Sequence, residues 1–324
     1  MEIVKYKEGD EIKILELFEL AFKKSLSKSF WDWRFKNNPF GKELMINLMW
    51  EDNILAGHYA VSAIEIDINN ETIQASLSGT TMTHPNFQGR RIFSDLAISL
   101  YDRIHKDQDI ALVYGFPNNK SHYGLVKNIL WEDLGIISNF SKKINIVKQD
   151  NNSNNFKLNL LSDFNHEHEV FIKNKIKELG FNISIKRSEK YLNWRYLKCP
   201  INNYYCFEIR ENEELQGIVI FKIYENKGSE SQIDIMEFIC EPDYSTIKNT
   251  LDLIVDFLAK EEFSEITLNM WLSLYDARHL LFEKLNFQIG MPLTYMCAKP
   301  FSEKYKDITN FKDWYISMGD SDVY

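Results

Sequence analysis

The stretch MTHPNFQGRRIFSDLA, Met82–Ala97, decides how this sequence folds. Before it runs a strand-like segment, TIQASLSGTTMT. After it, Ile92, Phe93, Leu96, Ala97, Leu100, Tyr101 and Ile104 recur at i, i+3/i+4, the spacing of an amphipathic helix. A strand that ends in a glycine-containing turn and passes at once into a helix leaves several backbone N–H groups beside the positive end of the helix dipole. Arg90 and Arg91 add two positive charges there, and the combination suits an anion. The dipole alone contributes only about 0.3–1 kcal/mol, so a bound pyrophosphate would need the amides and both arginines together. The plain alternative is a turn that caps a helix, with two solvated arginines.

Working outward, the same order of signals occurs twice. Strand EIVKY opens the chain, followed by a helix with Ile14, Phe18, Ala21 and Phe22 on one face. Then come FWDWRFKNNP (Phe30–Pro39) and the strand runs ELMINLMW and ILAGHYAVSAIEIDI. Past Ala97 lie a buried strand, IALVYGFP, and a helix, NKSHYGLVKNILW. The second half has YLNWRYLKCP (Tyr191–Pro200) and strands NYYCFEIR, LQGIVIFKIY and QIDIMEFIC. A helix with Ile247, Leu251, Ile254 and Leu258 inward follows, then strand EITLNMWL and helix YDARHLLFEKLNF. Gly135 matches Gly290 and Leu125 matches Leu280 at one common separation; Pro85 matches Pro242, and Trp33 matches Trp194, at nearly the same one. Order and spacing held over so many elements indicate an internal duplication of an α+β unit. The polar run KQDNNSNNFK (Lys148–Lys157) reads as the linker. The expected division is residues 1–147, a linker 148–157, a second unit 158–300 and a tail 301–324.

Composition bounds the function. The 324 residues are 44% hydrophobic and carry a net charge of −9. That length suits two cores, and the charge argues against a general nucleic-acid surface, which needs a basic stripe. The first residues lack the basic and apolar regions of a secretory signal, and no window reaches the ~18 apolar residues of a membrane span. Cys199, Cys206, Cys240 and Cys297 form no C-x-x-C pair, which speaks for reduced thiols in a cytoplasmic protein rather than a zinc ribbon. His166 and His168 make an H-x-H pair with no third ligand in view, so no metal site is expected.

The Met82–Ala97 stretch resembles the phosphate loop of the GNAT superfamily of acyl-CoA-dependent N-acyltransferases, Gln/Arg-x-x-Gly-x-Gly/Ala. Gln88 holds the first place, Arg91 replaces the first glycine and Phe93 the second, with Gly89 and Arg90 between. The form THP-N-F-Q-G-x-x-IF, and the closing WYISMGDSDVY, are similar to a tandem-GNAT group among bacterial surface-polysaccharide enzymes; the resemblance covers nearly the whole chain. It implies two tandem α+β domains, each a mixed, mostly antiparallel twisted sheet flanked by helices. It implies acetyl-CoA, or another acyl-CoA, as cosubstrate. The cofactor-binding residues would be Met82, Thr83, Phe87, Gln88, Gly89, Arg90, Arg91, Ile92 and Phe93, with Asn118, Asn119 and Ser121 bonding the pantetheine arm. The same Asn119 or Ser121 would serve a plain helix cap. If the position of Arg91 needs φ > 0, a non-glycine residue costs about 1–2 kcal/mol there.

The mechanism so implied is direct attack of an amine on the thioester, with a backbone N–H near Met82 or Thr83 stabilising the oxygen. A base with a pKa near neutrality is required. His58 is the best-typed candidate, against a purely structural histidine in an apolar strand; Glu65 and Asp67 could act through water. The family's acid, a Tyr late in the helix after the phosphate helix, is Val126 here and Phe282 in the second copy. Tyr123, one turn earlier, is the substitute candidate. His84 would fix the loop. In the second half the equivalent loop, EPDYSTIKN, has no glycine or arginine, and Asp243 and Ser245 can cap the helix themselves; that copy keeps the fold and loses CoA binding. The repeated Trp-Arg-aromatic stretch is then architectural: Trp plugs the core, Arg bonds a helix end and Pro stops the helix. Asp320 and Asp322 could hold an ammonium or sugar hydroxyls, or form a solvated acidic end. The resemblance points to an amino sugar acceptor, free or nucleotide-linked. Two other readings stand beside it. One is a Fem-like aminoacyl transfer, for which a −9 chain is poorly suited. The other is a non-catalytic scaffold of degenerate folds.

Overall fold

The architecture follows a computed structural model, which describes residues 1–146, 155–224, 231–261, 263 and 265–322. The chain forms two compact units. The first comprises Met1–Gly135 with Tyr295–Phe311, the second Ile136–Thr294 with Lys312–Tyr324.

The first unit contains β1 (Glu2–Lys5), α1 (Glu11–Phe22), α2 (Lys28–Trp31), β2 (Met45–Glu51), β3 (Ile54–Ile68), β4 (Glu71–Thr83), α3 (Ile92–Gln108), β5 (Leu112–Gly115) and α4 (Asn119–Tyr123). β1, β2, β3 and β4 pair antiparallel in that order, and β4 pairs β5 in parallel. β3 is buried on both faces from Leu55 to Ile64, which explains its nearly unbroken apolar run. One face packs against α3, where Ile92, Leu96, Ala97, Leu100, Tyr101 and Ile104 join Tyr59, Val61 and Val113 in a core. The other packs Ile14 and Leu17 of α1, with Trp31, against Ile46, Leu48 and Ala60. The inward face of α1 is therefore set by Ile14 and Leu17, and Phe22, expected inside, is exposed. Gly57 determines how close α3 comes. A Cβ there would lie 2.3 Å from Ile92 Cγ2 and 3.0 Å from Leu96 Cδ1. Its bare backbone lets the first turn of α3 rest directly on β3.

The chain continues through β6 (Glu132–Asn145), β7 (Phe156–Leu160), α5 (His166–Glu178), β8 (Ile183–Ile185), α6 (Glu189–Leu192), β9 (Tyr204–Glu211), β10 (Glu214–Tyr224), β11 (Ser231–Cys240), α7 (Tyr244–Lys260), β12 (Glu265–Leu272), α8 (His279–Lys284), β13 (Gln288–Pro300) and β14 (Trp314–Tyr315). In the second unit β7, β9, β10 and β11 pair antiparallel in that order, β11 pairs β12 in parallel, and β12 pairs β6 antiparallel. In each unit a parallel pair, β4–β5 or β11–β12, brackets the long helix, and the second unit has a further short parallel pair, β8–β14. Ile247, Leu251, Ile254 and Leu258 of α7 are buried as expected, over Phe207, Val219, Phe221 and Ile235.

The unit boundaries differ from a cut at 147 and 158. Ile136–Asn145 of β6 belongs to the second unit, whereas Tyr295–Pro300 of β13 returns to the first, where Cys297–Pro300 pairs antiparallel with Leu112–Gly115 of β5. The tail 301–324 is divided between the units at Phe311. Of the linker expected at 148–157, residues 148–154 lie outside the described residues, and Phe156 and Lys157 already belong to β7.

Both copies of the Trp-Arg stretch fold alike. A short α-helix runs straight into a π-helical turn, Asp32–Lys36 in one and Asn193–Leu197 in the other. Arg34 and Arg195 are each 6% exposed; Trp33 is buried as expected, whereas Trp194 is only half-buried. Arg34 Nε donates to Ser62 Oγ at 3.3 Å. Arg195 donates to Tyr204 OH at 2.7 Å and to the Gly319 and Ser321 carbonyls. In the second copy the guanidinium thus bonds the end of a short 3₁₀ helix, Met318–Asp320, whose C-cap is Ser321, and fastens the C-terminal segment.

Candidate functional site

The site begins as an irregularity in β4. His58 pairs with Met82, but Ala60 pairs with Gly79, so Tyr59 alone faces both Thr80 and Thr81. This is a β-bulge, and Thr80 takes φ +58° within it. His58 holds the bulge: its Nδ1 lies 2.7 Å from Thr80 O, and because a carbonyl only accepts, Nδ1 carries the proton. The ring is fully buried, and burial pushes its pKa down to about 4, so it is neutral.

Below the bulge β4 and β5 stay together only at Ser76–Val113 and Leu77–Tyr114. Beyond Leu77 the two strands form no further pair, which leaves a gap in the pairing between Ser78–Thr83 and Gly115–Asn118. Ser78 and Gly115 sit at its inner end. His84 N–H donates to Ala56 O at 2.9 Å. Alternation along the strand then turns the Thr83 N–H away from β3 toward the gap, and the Met82 N–H back into the ladder. Of the two amides expected to face a carbonyl, the backbone favours Thr83.

At the outer end of the gap lies the turn. Pro85–Phe87 makes a 3₁₀ turn, and His84 Nδ1 accepts from Asn86 N at 3.2 Å, so His84 does fix the loop. Phe87 is buried and anchors it; Gln88, Gly89, Arg90 and Arg91 are exposed. Arg90 lies over the Phe87 ring at 5.0 Å. Gly89 has φ +79°, with nothing within 4 Å of where a Cβ would stand. Arg91 is the N-cap of α3 at φ 62°, ψ 9° and makes no side-chain cap bond. The left-handed geometry that glycine would favour is therefore present, with an arginine in it. The first α3 hydrogen bond runs from Asp95 N to Arg91 O, so the amides of Ile92, Phe93 and Ser94 have no carbonyl inside the helix. Three amides, two exposed guanidiniums and open space above Gly89 fit a diphosphate; the exposed Asp95 carboxylate in the first turn of α3 opposes it. The Phe93 ring packs edge-on to Tyr59, 5.7 Å between centroids, and lies 3.6 Å from the Cβ position of Gly124. It forms a wall where the family pattern has a small residue.

On the other side of the gap, α4 starts at Asn119. Its cap is Asn118, whose Oδ1 accepts from Ser121 N at 3.1 Å; Asn119 and Ser121, the expected caps, are already inside the helix. Tyr123 is 67% exposed. Val126 lies in a π turn, Gly124–Asn128, and packs partly against the core.

The three catalytic candidates are not brought together. His58 is sealed. Glu65 lies seven residues further along the same strand, roughly 23 Å away, and accepts from Gln74 Nε2 at 3.2 Å. Asp67 accepts from Thr72 Oγ1 at 2.6 Å in the hairpin beyond it. Sequence reasoning missed Ser78, Thr80 and Gly115. Gly79, inside a strand pattern, was the available signal for a bulge.

The corresponding gap in the second unit is filled. Beyond the last parallel pair, Ile235–Met270, Arg278 enters, 2% exposed, and donates to Phe238 O at 2.5 Å and to both Asp276 oxygens. Tyr315, Ile316 and Ser317 line the remaining space with it. Asp243 caps α7, accepting from Thr246 N at 3.0 Å, and Ser245 is inside the helix. Asp320 is not a solvated or ligand-holding acid: it is 1% exposed, bonded to Arg187 at 2.8 Å and to Ser317 N at 2.9 Å. Glu237 shares Arg187 and accepts from Tyr196 OH; burial raises both carboxyls above their ordinary range, and the guanidinium opposes this. Asp322 is half-exposed.

His168 completes a capping box with Asn165 and reaches Glu208 at 3.2 Å. One group of metal-ligand residue types occurs among the described residues, His122, Asp133 and Cys297. They satisfy one another: His122 Nε2 is 2.5 Å from Asp133 Oδ1, and the Cys297 thiol, kept protonated by burial, donates to the same oxygen at 3.2 Å. All four cysteines are free thiols, and no helix of the described residues is long and apolar enough to cross a membrane.

Residues 2–127 match the family model described as Acetyltransferase (GNAT) domain. Among solved structures the chain is similar to a GCN5-related N-acetyltransferase of Anabaena variabilis, with TM-score 0.68 and 13% identity over 93% of this chain and 73% of that one. A conserved protein of Enterococcus faecalis described as a probable N-acyltransferase gives 0.65 and 14%, over 92% and 72%. N-myristoyltransferase of Saccharomyces cerevisiae with bound myristoyl-CoA gives 0.60 and 11%, over 92% and 82%. At these identities the likeness is one of fold. No curated protein matches the sequence.

Proposed function

We propose that the chain is an acyl-CoA-dependent N-acyltransferase whose first unit alone receives the acyl donor. One observation carries the reading: the bulged β4 parts from β5 and leads straight to the start of α3, whose first amides have no carbonyl inside the helix and which the exposed Arg90 and Arg91 flank. The acetyltransferase family match covers this region, and the solved structures of the same fold are described as N-acetyl- or N-acyltransferases.

Bound acyl-CoA would supply an acyl group activated as a thioester. The amides of Ile92, Phe93 and Ser94, with Arg90 and Arg91, hold the diphosphate. Thr83 N–H points into the gap, where it can hydrogen-bond the arm or the carbonyl. Phe93 and Gly124 form the wall between the two flanking helices. His58 acts as a positioning residue that holds the bulge, because a neutral, sealed ring cannot exchange protons with an incoming amine. The base comes from elsewhere, with Glu65 remote and already bonded. Tyr123 stays a candidate acid on exposure alone. The second unit does not bind acyl-CoA; Arg278, Tyr315 and Ile316 occupy its gap, and the Asp243 carboxylate stands where a phosphate would go. The acceptor is an amino sugar, free or nucleotide-linked, for surface polysaccharide assembly in the cytoplasm, a reading that rests on the resemblance of the THP-N-F-Q-G stretch and the closing segment.

Calorimetric titration with acetyl-CoA tests the site. Micromolar binding, lost in Gly89→Glu or Arg90→Glu and kept in Asp243→Ala, is the expected result. Absence of heat and of any thermal shift with acetyl-CoA or its desulfo analogue would favour a scaffold. Loss of binding only on changing α7 would assign the wrong unit. Thiol release with a panel of nucleotide-linked amino sugars then tests the acceptor.

A further inference from the structure

The inner end of the β4–β5 gap carries a polar feature that the steps above leave unused. Four side chains stand in line. Trp131 Nε1 donates to Tyr101 OH at 3.1 Å; the hydroxyls of Tyr101 and Tyr59 are 2.5 Å apart; Tyr59 OH is 3.0 Å from Ser78 Oγ. Trp131, Tyr101 and Tyr59 are at most 3% exposed, whereas Ser78 is half-buried.

The closed end fixes the direction of the line. An indole N–H only donates, so the Tyr101 oxygen accepts from it. The Tyr101 proton then has one acceptor within reach among the described residues, the Tyr59 oxygen. A buried hydroxyl proton left without an acceptor is costly, so Tyr101 donates to Tyr59, and Tyr59 in turn donates to Ser78. Ser78 accepts at its inner side and keeps its own proton for an acceptor outside the line. Ser78 is also the first β4 residue past the last parallel pair, and a Cβ on Gly115 would stand 3.5 Å from its Cβ. The Ser78 hydroxyl, with its spare proton, therefore sits where the β4–β5 pairing ends, on the strand that leads to the phosphate turn.

We infer that Ser78 is a catalytic residue, its hydroxyl donating a hydrogen bond to the acyl carbonyl oxygen of the thioester. The inference rests on the acyltransferase reading and adds to it a side-chain donor oriented before the donor arrives. As the amine attacks, the N–C bond forms and negative charge builds transiently on that oxygen; the C–S bond then breaks, the CoA sulfur leaves with the electron pair and the proton lost by the amine ends on the thiol, and a donor already aimed at the oxygen needs no reorientation. The line works as a fixed set of dipoles and not as a proton conduit. Burial pushes the Tyr59 hydroxyl up to about 12 and Tyr101 well above its ordinary value, so neither gives up a proton.

The test is isotope-edited infrared spectroscopy of acetyl-CoA labelled with ¹³C at the thioester carbonyl, bound without acceptor. In the unaltered protein the carbonyl band should fall below its position in free acetyl-CoA. Ser78→Ala should return most of that shift with the dissociation constant changed less than about 2-fold, and lower kcat about 100-fold with KM for acetyl-CoA nearly constant. Ser78→Thr, which keeps the hydroxyl, should restore the band. Tyr59→Phe, which frees the serine to turn, should broaden the band and give an intermediate kcat; it also carries the test if Ser78→Ala fails to fold. A Ser78→Ala protein that binds acetyl-CoA with an unchanged band and kcat overturns the role of Ser78 and leaves the acyltransferase reading intact. No binding by the unaltered protein overturns both.

Discussion

Replacing Arg91 separates two effects that the structure superimposes. The residue sits at φ 62°, ψ 9°, where an L side chain with a Cβ costs roughly 1–2 kcal/mol. Arg91→Gly removes that strain. Glycine also loses more conformational freedom on folding, by roughly 0.5–1 kcal/mol, so the net gain is about 0.5–1 kcal/mol. For a unit of this size that corresponds to a rise in Tm of about 1–4 °C. Arg91→Ala loses the same guanidinium but keeps the Cβ, so it should melt no higher than the unaltered protein. Binding should respond oppositely. Both variants lose one exposed cation from the turn, and a contribution of about 1 kcal/mol corresponds to roughly 5-fold weaker acetyl-CoA binding. Differential scanning fluorimetry gives the first quantity and calorimetry the second. If Arg91→Ala is as stable as Arg91→Gly, the left-handed geometry is not a source of strain. If Arg91→Gly binds tighter, the guanidinium obstructs the diphosphate instead of holding it.

Three further outcomes follow from the packing. Gly57→Ala should destabilise by about 1–3 kcal/mol in chemical denaturation, because the new methyl meets Ile92 Cγ2 at 2.3 Å; Ile92→Ala should recover part of the loss in a double-mutant cycle, and additivity would contradict the contact. His58, depressed to about 4 in the fold against about 6.5 unfolded, binds its proton first in the unfolded chain. Its contribution is complete above about pH 6.5 and fades by up to about 3 kcal/mol as pH falls to 4, so His58→Asn should flatten the stability curve in that window; an unchanged slope would contradict it. Asp320→Ala should cost about 3–5 kcal/mol in urea unfolding, because the buried Arg187 loses one of its two carboxylate partners; a loss under 1 kcal/mol would mean the pair contributes little to stability.

The phosphate turn was legible because its signals are local. A strand pattern, a glycine, two arginines and seven apolar residues at helical spacing all lie within one short stretch, and the helix they imply begins where α3 begins, at Ile92. The strands of both copies were legible for the same reason. The bulge was not. Thr80 and Thr81 read as ordinary strand residues, and only the buried imidazole of His58, on the neighbouring strand, shows why one of them takes a positive φ. The fate of Asp320 was hidden differently. Its partner, Arg187, is 133 residues away, and a polar tail gives no local sign that it folds inward. The line ending at Ser78 joins residues from β3, β4, α3 and the turn after α4, a convergence that no window of sequence contains.

The exchange of strand segments means that neither copy is a self-sufficient protein. Scission anywhere in residues 148–154 would leave the amino-terminal piece without Cys297–Pro300 beside β5, and a naked strand edge invites aggregation. It would leave the carboxy-terminal piece without Ser138–Asn145 against β12. Only a circular rearrangement, or a mixture of both fragments, would supply each body with its missing border.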